Sequence, residues 1–154
     1  MMLLKDIEVV VNTNSIFMNT SRNVIGEIYF KIGDFYFPAE GWDDFVVVIL
    51  GWWQKDIMNI RNDRIGTVYE LDFMDGPWFV KGNKISEHTI ELEFVRDKSD
   101  SQQIIFTCLC QVAQLQQSIL HATEKLLTEL KSRKWHSDDI EELDRIWRLL
   151  KSLN

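Results

Sequence analysis

The chain has 154 residues, 45% hydrophobic and 27% charged, with a net charge of −7. This composition suits one folded domain and excludes global disorder. The negative charge disfavours nucleic acid phosphates and anionic lipid and would steer a basic partner inward, with solubility alone as the plainer account.

The acidity belongs to the first two-thirds. Residues 1–100 hold ten Lys and Arg against seventeen Asp and Glu, and residues 101–154 hold seven of each. In chain order, 5–12 alternate as a first strand, 13–22 form a polar loop, and 23–32 form a second strand. Gly33-Asp34 is a two-residue hairpin turn leading to a third strand, Phe35-Tyr36-Phe37, which Pro38 ends. Residues 42–60 follow as a helix, because Trp42, Phe45, Val46, Ile49, Leu50, Trp53, Ile57 and Ile60 recur in steps of three and four. Asp43 and Asp44 fall in its first turn, where carboxylates meet the positive end of the helix dipole. A buried strand at 45–50 is the rival reading.

Residues 66–73 alternate as a fourth strand, 78–81 form a short fifth, Gly82-Asn83 turns, and 84–95 form the last strand. Residues 102–133 carry the helical stripe Ile105, Leu109, Val112, Leu115, Ile119, Ala122, Leu126 and Leu130, a helix of about 45 Å at 1.5 Å per residue. Ser137 caps a final helix with Ile140, Leu143, Trp147 and Leu150 on its buried face. The expected fold is α+β in a single domain, 1–154. An antiparallel sheet of five or six strands with one inserted helix occupies 1–97, and a C-terminal helical hairpin occupies 101–154. A helix of that length suggests a homodimer formed through it.

Chemistry is sparse. No phosphate-binding glycine loop or Cys-x-x-Cys occurs, and His88, His121 and His136 are scattered, so neither cofactor nor metal is expected. Cys108 and Cys110 at i, i+2 on a helix point apart and read as core thiols of a reducing compartment. Lys5-Asp6 interrupts the apolar start, so no secretory leader is expected. The apolar run 45–50 falls far short of the roughly 20 residues of a membrane span. The expected location is the cytoplasm. Glu70 with Asp72, and Glu91 with Glu93, are i, i+2 carboxylate pairs that read as solvated sheet faces, and a hydrolase would need one of them tuned in a cleft.

The acidic segment 34–75 is the strongest functional signal. Nine carboxylates stand there against Lys55, Arg61 and Arg64, with Trp42, Trp52, Trp53 and Trp78 in or beside it. Aromatic anchors among steering charges suit a protein-binding face, and Asp34, Glu40, Trp42, Asp43, Asp44, Asp72, Asp75 and Trp78 are its candidate residues. A core face plus a wet face with no partner is the alternative. A small-molecule pocket between sheet and helix, lined by Tyr29, Phe37, Tyr69 and Trp78, is another.

Four short motifs add a comparison: Gly26-Glu27-Ile28-Tyr29-Phe30, Asp34-Phe35-Tyr36-Phe37-Pro38, Gly41-Trp42-Asp43-Asp44-Phe45 and Trp52-Trp53. Over residues 26–95 this order resembles small bacterial immunity proteins encoded beside polymorphic toxins. The resemblance implies a cytoplasmic inhibitor that occludes a cognate toxin, such as a basic nuclease, and performs no reaction.

Overall fold

The computed structural model describes residues 3–153. The fold is α+β, with antiparallel sheets and three helices. The single sheet expected from the sequence is two sheets of four strands. The first contains β1 (Glu8–Met18), β2 (Val24–Ile32), β3 (Phe35–Phe37) and β4 (Asp43–Asp44). Helix α1 (Val46–Asp56) follows, and β5 (Val68–Asp72), β6 (Trp78–Lys84), β7 (Thr89–Asp97) and β8 (Gln102–Gln111) make the second sheet in sequential order. Helices α2 (Val112–Ser132) and α3 (Asp138–Ser152) close the chain.

The β2–β3 hairpin turns as its sequence requires. Ile32 pairs with Phe35, and Gly33 takes a φ of +60°, which costs glycine no Cβ clash. β1 runs through most of the expected polar loop because an irregularity between Asn12 and Phe17 lets it keep pairing with β2. Ser15 holds that irregularity: its hydroxyl accepts from the Glu27 amide and donates to the Asn12 carbonyl. Gly26 is fixed by close approach, since a Cβ there would lie 2.6 Å from Ile16 Cγ2.

Three expectations are corrected. Helix α1 begins at Val46, because Asp43 and Asp44 pair with Glu27 and Gly26 as β4, and residues after Asp56 turn. Gly82-Asn83 lies inside β6, opposite Leu92 and Glu91. The long helix splits, with 102–111 forming strand β8 and only Val112–Ser132 helical. Cys108 and Cys110 therefore share one face of a strand, and both are buried. Burial pushes the Cys108 thiol up to about 11 and the Cys110 thiol up to about 12, which keeps both protonated. The final helix keeps its expected cap: Ser137 Oγ accepts from the Ile140 amide at 3.2 Å.

The sheets and helices share one apolar core. Rings from β2 and β3 meet rings from β7 and β8 directly, with Phe30 5.7 Å and Phe37 5.1 Å from Phe94, and Phe35 stacked 4.2 Å from Phe106. Trp53 enters this cluster from α1, 5.0 Å from Phe30 and 5.2 Å from Phe73. Its indole donates to the Asp72 carbonyl at 2.8 Å, tying α1 to the edge of β5. Beyond α1, buried Lys84 donates to the carbonyls of Ile60, Arg61 and Asp63 at 2.7–3.2 Å, so its charge sits among the carbonyl dipoles of the turns that follow the helix. Trp53→Phe keeps a ring but loses the bond to Asp72 and part of the packing. Urea unfolding should show a loss of roughly 2 kcal/mol or more. An unchanged midpoint would mean that this tie carries no stability.

Candidate functional site

Consecutive tryptophans on a helix point apart. Trp53 is sealed in the core, and Trp52 stays 38% exposed. Trp52 and Asp56 lie one turn apart on the same face of α1. That face flanks β5, where Glu70 and Asp72 alternate with buried Tyr69 and Leu71. Asp97, at the end of β7, is brought close by its amide, which donates to the Pro77 carbonyl at 2.6 Å. These elements enclose an open groove of about 390 Å³ lined by Trp52, Glu70, Asp72, Trp78, Asp97 and Gln102.

The carboxylates crowd one another. Asp56 is pushed up to about 6, first by burial of its carboxyl and then by the charge of Asp72, although the residue as a whole is exposed. Glu70 is also raised, by burial and then by hydrogen bonding and repulsion with Asp72, with smaller contributions from Asp56 and Asp97. Nearby cations do not close ion pairs with them among the described residues. Lys55 reaches Glu142 instead at 3.4 Å, Lys81 stands across from Glu70 in the ladder, and Arg96 lies 5.7 Å over the Trp78 ring. No group of three or more His, Cys, Asp or Glu side chains among the described residues is placed to hold a metal ion.

A second cluster braces the rim. Asp44 is fully buried and accepts from the Trp42 indole at 3.0 Å, from the Phe45 amide at 2.7 Å and from the Asp75 amide at 3.1 Å. Burial raises its pKa and these three bonds oppose the rise. Trp42 and Trp78 meet edge to face at 6.4 Å, and Trp78 packs against Phe37 at 5.7 Å.

The eight candidate residues thus divide. Trp42, Asp44, Asp72, Asp75 and Trp78 gather around the 73–78 turn, with Asp44 as an internal brace that offers no surface to a partner. Asp43 faces Glu27 on the first sheet, and Glu40 and Glu27 both help raise Tyr29, behind the effect of its burial. Asp34 sits at the β2–β3 turn beside Phe35 and Phe106, roughly 20 Å along β2 at ~3.3 Å per residue. Tyr29 and Phe37 occupy opposite faces of the first sheet, so the proposed Tyr29, Phe37, Tyr69 and Trp78 lining does not form around one pocket. Asp56 and Asp97 were not singled out from the sequence. The i, i+4 spacing of Trp52 and Asp56 is visible there, but only the fold sets that face beside Glu70 and Asp72.

No family model, curated protein or solved structure matches this chain.

The Asp56 shift fixes a pH dependence. Its folded carboxyl titrates near 6 and an unfolded Asp near 3.9, so the folded state holds the proton more tightly. This group's contribution favours folding below about pH 4 and is lost as pH rises through 6. Asp56→Asn should therefore raise stability at pH 7.5 by about 1 kcal/mol at most after solvent screening, and change it little near pH 3.5. Denaturant curves at both pH values check this. A destabilised variant at pH 7.5 would mean that holding the Asp56 charge in this half-buried place beside Asp72 costs the fold nothing.

Proposed function

We propose that this chain binds a protein partner through the acidic groove, as an immunity-type inhibitor that covers a basic toxin domain. One observation carries the reading: Glu70, Asp72 and Asp97 line the groove with the exposed Trp52 ring, Asp56 lies within electrostatic reach of Glu70 and Asp72, and no ion pair among the described residues neutralises the four. A lysine or arginine from a partner would relieve their repulsion, and Trp52, Met74 and Trp78 would supply apolar anchorage around it. Inhibition would be steric and electrostatic, with the carboxylates occupying the place of an anionic substrate. The sequence resemblance over 26–95 supports the same class.

The test pairs this chain with the protein encoded by the adjacent open reading frame. Calorimetric titration should give a specific complex whose affinity falls with salt. Replacing Asp56 and Asp72 with Asn and Glu70 with Gln should weaken it at least tenfold at low salt, on the basis that each charged pair contributes about 1 kcal/mol or more. Absence of binding, or binding indifferent to the three substitutions, would contradict the reading.

A second reading has one observation in its favour. Asp56 near 6, beside ionisable Asp72, has the tuning of a general acid for hydrolysis. It predicts turnover of chromogenic glycosides that Asp56→Asn abolishes. The open groove favours the binding reading, because little of it excludes water.

A further inference from the structure

The edges of the two sheets are treated unequally. β1 is closed by α2: the Ile7 amide donates to Gln114 Oε1 at 2.9 Å, the Val9 amide donates to Ser118 Oγ at 2.6 Å, and Arg133 donates to the Thr13 and Ile16 carbonyls. β5 is tied to α1 by the Trp53 indole, and β3 has only three residues. β8 is an outer strand of ten residues without a single charged side chain. Edge strands are ordinarily protected by Lys, Pro or a covering element.

Among the described residues, only the segment at Leu4 and Lys5 meets the outer backbone of β8, at Leu109. The Leu109 carbonyl accepts from the Lys5 amide at 2.7 Å, and Leu4 bridges to Leu109 in parallel, so one end of this edge already takes a strand. Backbone directions alternate along an antiparallel strand, so Thr107 turns its N–H and C=O to the same side as Leu109. The ladder to β7 shifts register where Phe94 faces Phe106 and Val95 faces Ile104, leaving Ile105 as an extra residue. Neighbouring Ile104 and Ile105 are consequently both exposed, 53% and 42%. Leu3 and Leu4, which lead into the parallel bridge at Leu109, are exposed as well.

We propose that β8 pairs antiparallel with β8 of a second copy of this chain, joining the two β5–β8 sheets across a two-fold axis. The occupant follows from charge. The surface of a chain carrying −7 repels its own copy, whereas a strip with no charge can face itself without setting like against like. A two-fold contact requires such self-complementarity. The flanks are of mixed sign, with Asp97, Lys98 and Asp100 at one end and Lys5 and Asp6 at the other, so antiparallel reversal brings Lys98 and Lys5 toward the neighbour's acids. Of the stripe on the long helix, Leu115, Ile119, Ala122, Leu126 and Leu130 are buried within the chain. A strand pair covers less than the roughly 1,600 Å² of a standard interface, so the contact is a weak one to be sought in the micromolar range.

Sedimentation equilibrium of the full chain, from about 1 to 500 µM to bracket that range, should show the mass rising from 18.2 kDa toward twice that value. Ile105→Lys puts a charge from each copy into the otherwise uncharged strip and should leave a monomer with an unchanged unfolding midpoint. Ile65→Lys, at an exposed residue outside the strands, should dimerise like the wild type. Amide exchange on the wild-type chain gives a readout free of any variant: Ile104 and Thr107 should exchange more slowly as concentration rises. A monomer throughout, a dimer that survives Ile105→Lys, or exchange at those amides independent of concentration would overturn the proposal.

Discussion

Trp53 lies with no exposed surface between Phe30 and Phe73, and its indole N–H is spent on the carbonyl of Asp72. Burying so large a ring supplies apolar stabilisation, but its N–H would be costly without an acceptor. Meeting both demands allows α1 little freedom. The helix must lie against the edge of β5 with Trp53 inward, and that orientation sends Trp52 and Asp56 outward along the same edge. The geometry of the acidic groove is a consequence of how the core is satisfied.

The electrostatics follow from the same constraint. Strand alternation puts Glu70 and Asp72 on the wet face of β5 whenever Tyr69 and Leu71 are buried. The helix then adds Asp56, and the turn held by Asp44 adds Trp78 at the groove's end. Three elements place these carboxylates, β5 with Glu70 and Asp72, α1 with Asp56 and the end of β7 with Asp97, each for a reason of packing. Their sum is a site that carries more negative charge than it compensates. Folding tolerates the resulting repulsion because the aromatic core is large and the groove remains open to water, which screens the charges.

Much of the layout was legible from residue patterns. The β2–β3 hairpin, the alternation of β5, the Asp75-Gly76-Pro77 turn and the Ser137 cap all reflect local chemistry, which needs no distant partner. What escaped were elements decided by tertiary contact. Ile105 and Leu109 stand four apart and extend the stripe of α2, so the helix period ran through a strand. The competing signal was Phe106, Cys108 and Cys110 at a period of two, cut short by the bulge at Ile105. Asp43 and Asp44 have good helix-start chemistry, yet Asp44 does more by bracing the Trp42 indole and the Asp75 amide from a short strand. In the candidate groove, acidity and tryptophan content marked the segment that supplies Trp52, Glu70, Asp72 and Trp78. The split between Asp34, the Glu40 and Asp43 spot, and the groove required knowing how the two sheets are arranged. Among the described residues no helix is long and apolar enough to cross a membrane.

The claim on which this account turns is that the groove holds carboxylates closer together than their charges favour, leaving it prepared for a cation. Carbon-detected NMR titration of the Asp56 side-chain carboxyl with Asp72 present and replaced measures that repulsion, because burial is the larger cause of the raised value and only the response to Asp72 reports the neighbouring charge. The account predicts a midpoint near pH 6, moving down when Asp72 is replaced by Asn. A midpoint near 3.9, the ordinary value for aspartate, insensitive to Asp72, would contradict it.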